Sequence, residues 1–395
     1  MRKFFNTSII TLFGLFILLV ISRIQYEFLW FDQFNLQLVL FKRYAIQFLG
    51  FIIASVIALG FYLWQKSWLI SQAKLGIDKN SIRGLGYLIL LLTSFASLQI
   101  SLFFLLTIAL LSIHDPSLLG SSWFNLVAVP KLQFLSTILL TFPITFILLL
   151  KRHAKYVQIY IAILFIFISI RSWPLWSIAL TVPSSDIYDP ILNSDISFSL
   201  VRYPALSIIL LNMFLLHLST LSLSAASYIV DSGRLSNWEI PTFNSDLRSK
   251  LRIMLFSLLV NISIIIWLSR YNILWSSNNF FPGAGWLDVH FNLPLRNLSL
   301  IISISSALIY LFRYNSNKFR KLELILPALI FVPILAENTL KPLLHWMIVR
   351  PRELSLEYKY IERAINSTRK AFQLDSIKTK LIEPKEQIRK SDLNL

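Results

Sequence analysis

The chain has 395 residues, 56% of them apolar and only 14% charged, with a formal charge of +17 and no cysteine. Soluble domains carry roughly 25% charged residues, so this composition belongs to a chain that faces lipid over much of its surface. The missing cysteines exclude disulfides, thiolate metal sites and cysteine nucleophiles. The basic residues lie between long apolar runs and not on one patterned face, which points to anionic lipid headgroups as a partner and away from nucleic acid.

The first apolar run, 7–21, follows Arg2 and Lys3 and has the look of a secretory signal. Val20-Ile21-Ser22-Arg23 offers no small-residue cleavage pattern, however, so the run is expected to stay as a first helix. Tyr26, Phe28, Trp30, Phe31 and Phe34 come next, a ring cluster expected to form a short helix in the outer interface. Further runs lie at 44–64, 86–112, 132–150, 157–180, 203–230, 251–268, 298–312 and 322–347. In hydrocarbon every backbone N–H and C=O needs an internal partner, and continuous apolarity lacks the alternation of a barrel strand. The predicted fold is therefore all-α, a polytopic helical membrane bundle of about nine transmembrane helices. Lys and Arg concentrate in the alternate connections 66–83, 151–155, 234–252 and 313–321, which places these and the N-terminus in the cytoplasm and the C-terminus outside.

Two outer connections and the last run hold the candidate functional residues. Between 181 and 202 stand Asp186, Asp189 and Asp195 with Pro190, a set that either binds a hard cation through several carboxylates or forms a turn whose Asp residues cap helix ends. The connection 270–296 contains Gly283-Ala284-Gly285-Trp286-Leu287-Asp288-Val289-His290, where the glycines permit tight turns and the rings ask for an apolar home. Asp288 and His290 offer a proton relay or two metal ligands, with no third ligand evident nearby. His217 stands alone in the sixth run and is expected to be a packed, hydrogen-bonded residue.

In the ninth run Glu337, Lys341 and His345 recur every four residues and share one helical face. Pro327, Pro333 and Pro342 interrupt the same run, as in the broken helices of transporter sites, yet a Glu337–Lys341 ion pair near the interface explains the charges more simply. After Arg350 the pattern changes to an amphipathic helix over 354–372, followed by a charged stretch to Leu395 that reads as the opening of a second domain. The expected division is a transmembrane domain at 1–349 and the beginning of an extracytoplasmic domain at 350–395.

Four of these segments resemble the uncharacterised bacterial multi-pass membrane protein family 0182. They are Glu27-Phe28-Leu29-Trp30-Phe31 with Val39 and Arg43; Asp189-Pro190-Ile191-Leu192-Asn193-Ser194-Asp195-Ile196-Ser197-Phe198 with Pro204; Tyr271, Leu274, Ser276, Gly283-Ala284-Gly285 and Asp288-Val289-His290 with Leu293-Pro294; and Val349, Pro351, Glu353-Leu354, Glu357, Tyr360-Ile361, Ile365, Thr368-Arg369, Ala371 and Leu374-Asp375. The sequence departs from the family pattern at Leu192 and Ser199, where aromatics are usual, and at Arg352 and Ala364, where asparagine is usual. The resemblance implies a plasma-membrane protein with a large domain outside the cytoplasm, and it implies no reaction, cofactor or metal. The leading expectation is a non-enzymatic envelope protein that anchors such a domain. The alternatives are a transporter using the ninth run and an enzyme acting on lipid-linked substrates.

Overall fold

A computed structural model describes residues 2–72, 85–114, 141, 143–149, 153–235, 245–276, 281, 283–312, 325 and 327–377. Among these residues the backbone is helical almost throughout; strand pairing is limited to one isolated bridge, Tyr188 with Asp195. The main helices are α1 (Arg2–Gln33), α2 (Gln37–Gln72), α3 (Leu85–His114), α4 (Ala154–Arg171), α5 (Trp173–Thr181), α6 (Tyr203–Leu235), α7 (Ser245–Ser269), α8 (Leu293–Phe312), α9 (Phe331–Leu344) and α10 (Glu353–Ala371). Among the described residues, 7 helices are long and apolar enough to cross a membrane. The run expected at 132–150 falls largely outside the described residues, as does the stretch after residue 377.

Two expectations change here. The ring cluster from Tyr26 to Phe31 is not a separate interfacial helix, because α1 continues without a break to Gln33. The chain turns only at Asn35, whose φ of 55° is a left-handed conformation that asparagine tolerates well. In the ninth run Pro342 does not break the helix, since α9 passes straight through it, whereas a turn at Ile330 interrupts the stretch three residues before Pro333. Its other irregularities, beyond Leu344, are a π-helical turn at His345–Val349 and a 3-10 turn at Arg350–Arg352. Asn338 and Thr339 send side-chain hydrogen bonds of 2.8 Å back to the carbonyls of Ile334 and Leu335, one turn earlier.

The chain divides into two compact units. The first comprises Met1–Leu268 and Leu300–Ala328, the second Ser269–Ser299 and Leu329–Leu395. Lipid tails are as apolar as leucine, so helices in a membrane are held by close packing and hydrogen bonds. In the first unit Gly50, Ala54 and Ala58 make a small-residue stripe on α2, and a Cβ at Gly50 would stand 3.6 Å from the Ser169 carbonyl oxygen on α4. Around the resulting core, Leu98, Leu102 and Leu105 of α3, Ile161 and Ile168 of α4 and Leu216 and Leu223 of α6 are wholly buried.

Hydrogen bonds and ring contacts fix the helix directions in this unit. Phe61 meets His217, Gln65 meets Ser224, Trp68 meets Tyr228 and Gln72 meets Asp231, so the numbering of α2 and α6 rises together and the two run parallel. Against the adjacent face of α2, Asp246 bonds Ser71, and Lys250 bonds the carbonyl of Ser67 at 2.9 Å while its own carbonyl accepts from Trp64, so α7 runs antiparallel. At the other end of α2, the Glu27 carboxylate accepts from Tyr44 at 2.8 Å and pairs with Arg43 at 3.3 Å, while Arg43 also lies 5.5 Å from the Trp173 ring. Burial raises the Glu27 pKa, but the Tyr44 hydroxyl and the guanidinium of Arg43 outweigh it and leave the pKa lowered.

Candidate functional site

The second unit gathers Gly283, Gly285, Asp288, His290, Glu337 and Lys341, and it is built around the start of one helix. A 3-10 turn, Arg270–Trp275, ends at Ser276, whose carbonyl accepts from the N–H of Gly283 at 2.7 Å and so closes the loop. Gly283 holds φ at +118°, which a side chain would strain. Phe281, Ala284 and Leu287 are buried, giving the loop its own small apolar seat.

Helix then begins at Trp286, and the first N–H groups of any helix lack intrahelical partners. Two carboxylates supply them. Asp288 reaches back to the N–H of Gly285 at 3.1 Å, the geometry of a capping box, and Glu357 of α10 accepts from the N–H of Trp286 with both oxygens at 3.1 Å. The positive end of the helix dipole favours both anions. Asp288 is only 2% exposed, yet its remaining acceptor sites are filled by Ser276 Oγ at 3.0 Å, Asn292 Nδ2 at 2.8 Å and Lys341 Nζ at 2.8 Å. The lysine supplies the countercharge that a buried carboxylate requires.

The expected Glu337–Lys341 ion pair is therefore not formed. These side chains, one turn apart on α9, each take a partner from the stretch that opens α8: Lys341 takes Asp288, and Glu337 takes Arg296. Both oxygens of Glu337 lie 3.1 Å from Arg296 Nε, and a second bond runs from Nη2; Nη1 bonds the Ser269 carbonyl at the end of α7. One guanidinium thus neutralises a carboxylate and caps a helix C-terminus, which its planar array of donors allows and a lysine would not.

His290 does not join Asp288. It is exposed, its ring lies on Trp286 with centroids 4.9 Å apart, and its Nδ1 stands 3.1 Å from the Trp286 carbonyl and 3.5 Å from the Tyr360 hydroxyl. No group of three metal-ligating side chains occurs among the described residues. Asp288 is held by the Gly285 N–H, Asn292 Nδ2 and Lys341 Nζ, with the Ser276 hydroxyl shared between it and the carbonyls of Ile273 and Gly283, while the Oδ1 of Asn292 beside it is buried without a partner.

Asp189 and Asp195 lie in the first unit and cap backbone. Asp189 accepts from the N–H of Ile191 at 2.9 Å and of Leu192 at 2.7 Å; Asp195 accepts from Ser185 N and Oγ and, at 2.6 Å, from the N–H of Ser197. Those hydrogen bonds, Ser197 first, hold the Asp195 carboxyl far below the usual carboxylate range. The turn reading fits this geometry, in which the carboxylates are aimed at donors of their own loop.

Sequence reasoning missed Arg296, Glu357, Asn292 and Ser276 as partners. The signal was present for one pair: Glu337 and Lys341 share a face, and a facing helix with Arg296 eight residues after Asp288 presents the opposite charges in matching order.

Nearly the whole chain is similar to proteins of Synechococcus and Prochlorococcus. It is 37% identical over 388 residues to a UPF0182 protein of Synechococcus sp. (strain CC9311), covering 96% of this chain and 41% of that protein. It is 34% identical over 384 residues to one of Prochlorococcus marinus (strain MIT 9313), covering 95% and 39%. The chain thus spans about two fifths of the length of these curated relatives. No solved structure matches it. Residues 4–395 match the uncharacterised protein family UPF0182, and with that coverage the chain belongs to this family.

Proposed function

We propose that the protein is an integral plasma-membrane protein whose helical region anchors and orients a domain outside the cytoplasm, without a reaction of its own. The observation that carries this reading is the state of the charges in the second unit. Asp288, Lys341, Arg296, Glu337 and Glu357 are committed to one another or to helix ends, in the segment where the chain leaves its last apolar helix. A site that moves ions or protons keeps an ionisable group available, whereas a mount for a following domain is expected to spend these five charges on rigidity.

Nine spans, a cytoplasmic N-terminus and an outer C-terminus accompany the proposal, with anionic headgroups held by the basic inner connections. Parallel α2 and α6 with antiparallel α7 agree with that count, since the former are the second and sixth runs and the latter the seventh. A reporter fused after Leu395 tests it: alkaline phosphatase activity is the expected signal. Fluorescence from a cytoplasm-dependent protein at the same junction would overturn the topology. Solute uptake lost in Glu337→Gln at unchanged protein level would replace the anchor with a transporter.

A further inference from the structure

One face of α6 carries His217, Thr220, Ser224, Ser227 and Asp231 at alternating spacings of three and four, so a polar stripe runs along the helix for about 21 Å inside an apolar bundle. Neighbouring helices answer it with amides. Gln158 of α4 donates to Thr220 Oγ1 at 3.1 Å, Gln65 of α2 accepts from Ser224, and Gln72 of α2 donates to the Ser227 carbonyl at 3.0 Å and to Asp231 at 2.7 Å. All three glutamines are at least 96% buried. Each nevertheless leaves one amide atom without a partner: Gln65 Nε2, Gln72 Oε1 and Gln158 Oε1.

Rotating the amides does not cure this. Both partners of Gln72 are acceptors, so its oxygen has to face elsewhere; the Ser224 hydroxyl also donates to the Thr220 carbonyl at 2.7 Å, so turning the Gln65 amide satisfies its nitrogen and strands its oxygen, and turning Gln158 likewise trades one orphan for the other. A buried amide atom without a partner is costly, and the small species that satisfies a donor and an acceptor alike is water. Three such atoms along two turns of one helix mark a hydrated line and not an isolated defect.

The line has a titratable group at each end. Met213 O can only accept, so it fixes the hydrogen of His217 on Nδ1 at 2.8 Å and leaves Nε2 basic, 3.2 Å from Ser257 Oγ. Phe61 stands edge-on to the same ring, and no charged side chain is among these contacts of His217. At the far end Asp231 faces Gln72, and the neighbouring Ser71 is shared by Asp246 and Lys250. We propose that this seam is a water-filled path that delivers protons from the Asp231 end to Nε2 of His217. The helical region then does more than anchor, and this step does not depend on which side of the membrane Leu395 occupies.

The full chain in lipid nanodiscs, placed in D2O, tests it through exchange of the imidazole C2 hydrogen, which needs water and ring protonation and is read by mass spectrometry. His217 is expected to exchange within tenfold of the exposed His290. Gln65→Leu with Gln158→Leu is expected to slow His217 at least tenfold while His290 is unchanged. The near-isosteric Thr220→Val, which keeps the packing, is expected to slow it at least threefold should the double variant not fold. Absence of exchange at His217 in the unaltered chain, or exchange unaffected by Thr220→Val, overturns the path.

Discussion

The two units solve the same problem, polar groups out of water, by opposite means. The first uses neutral amides and hydroxyls along its core, Gln99 with Thr141 and Thr145, Gln158 with Thr220, Ser97 with Ser222 and Ser263 with Ser303, and keeps its ion pairs, Glu27 with Arg43 and Asp246 with Lys250, for the ends of α2. The second uses full charges, Asp288 with Lys341 and Glu337 with Arg296. Neutral bonds within a membrane are individually weak, about 0.6 kcal/mol on average, so a bundle tied by them can rearrange. Buried ion pairs add little net stability when intact, but breaking one costs about 3–5 kcal/mol, so the second unit has one arrangement and defends it.

The sharpest way to break that contrast is Asp288→Ala, which strands Lys341 and the Gly285 N–H at the helix start. Because the lysine is partly exposed, about 3 kcal/mol is expected, read as a lowered unfolding midpoint in detergent, and Asp288→Ala with Lys341→Met should recover half or more of it. Arg296→Lys keeps the charge but loses the fork that serves Glu337 and Ser269 together; about 2 kcal/mol in the same assay is the expected loss. Gly283→Ala strains the loop at a positive φ, and about 1.5 kcal/mol with faster proteolysis near Ser276 should follow. In the first unit Gln99→Leu removes two bonds from a neutral network and is expected to cost about 1 kcal/mol or less; a loss as large as that of Asp288→Ala would erase the difference between the units.

The smallest effect concerns acid. The Asp195 pKa is lowered in the folded chain, so its stabilisation of the 185–197 turn is present above the ordinary carboxylate value and is lost as pH falls towards the folded one. Amide exchange at Ser185 and Ser197 should accelerate over that interval, and Asp195→Asn should remove the pH dependence.

Much of this was legible in the sequence because hydropathy is a strong, local signal. The runs at 203–230 and 251–268 fall within α6 and α7, and the turn chemistry of Asp189 and Asp195 follows from residue type alone. What the sequence hid was pairing across helices. Glu337 and Lys341 satisfied the local i, i+4 rule so well that it masked the complementary charges of Arg296 and Asp288, which are 41 and 53 residues away. His217 seemed solitary for a related reason: glutamine, serine and threonine scattered through apolar runs look like noise until one face is drawn. The spacing from His217 to Asp231, with Gln65 and Gln72 seven apart on α2, was the readable trace.

The π-helical turns at Phe198–Arg202, Asp288–Asn292 and His345–Val349 bear on how such a chain changes length over evolutionary time. A π-turn encloses one residue more than an α-turn, so a chain can carry an extra residue there without turning the helix that follows. Removing one residue at His345–Val349 restores an ordinary helix with both flanks in phase, and at the other two, which open their helices, it leaves the helix that follows intact, whereas the same deletion in the middle of α6 rotates everything downstream by about 100°. Single-residue gaps between related sequences should therefore gather at these three places, and a gap elsewhere within a spanning helix should be accompanied by an altered set of buried partners.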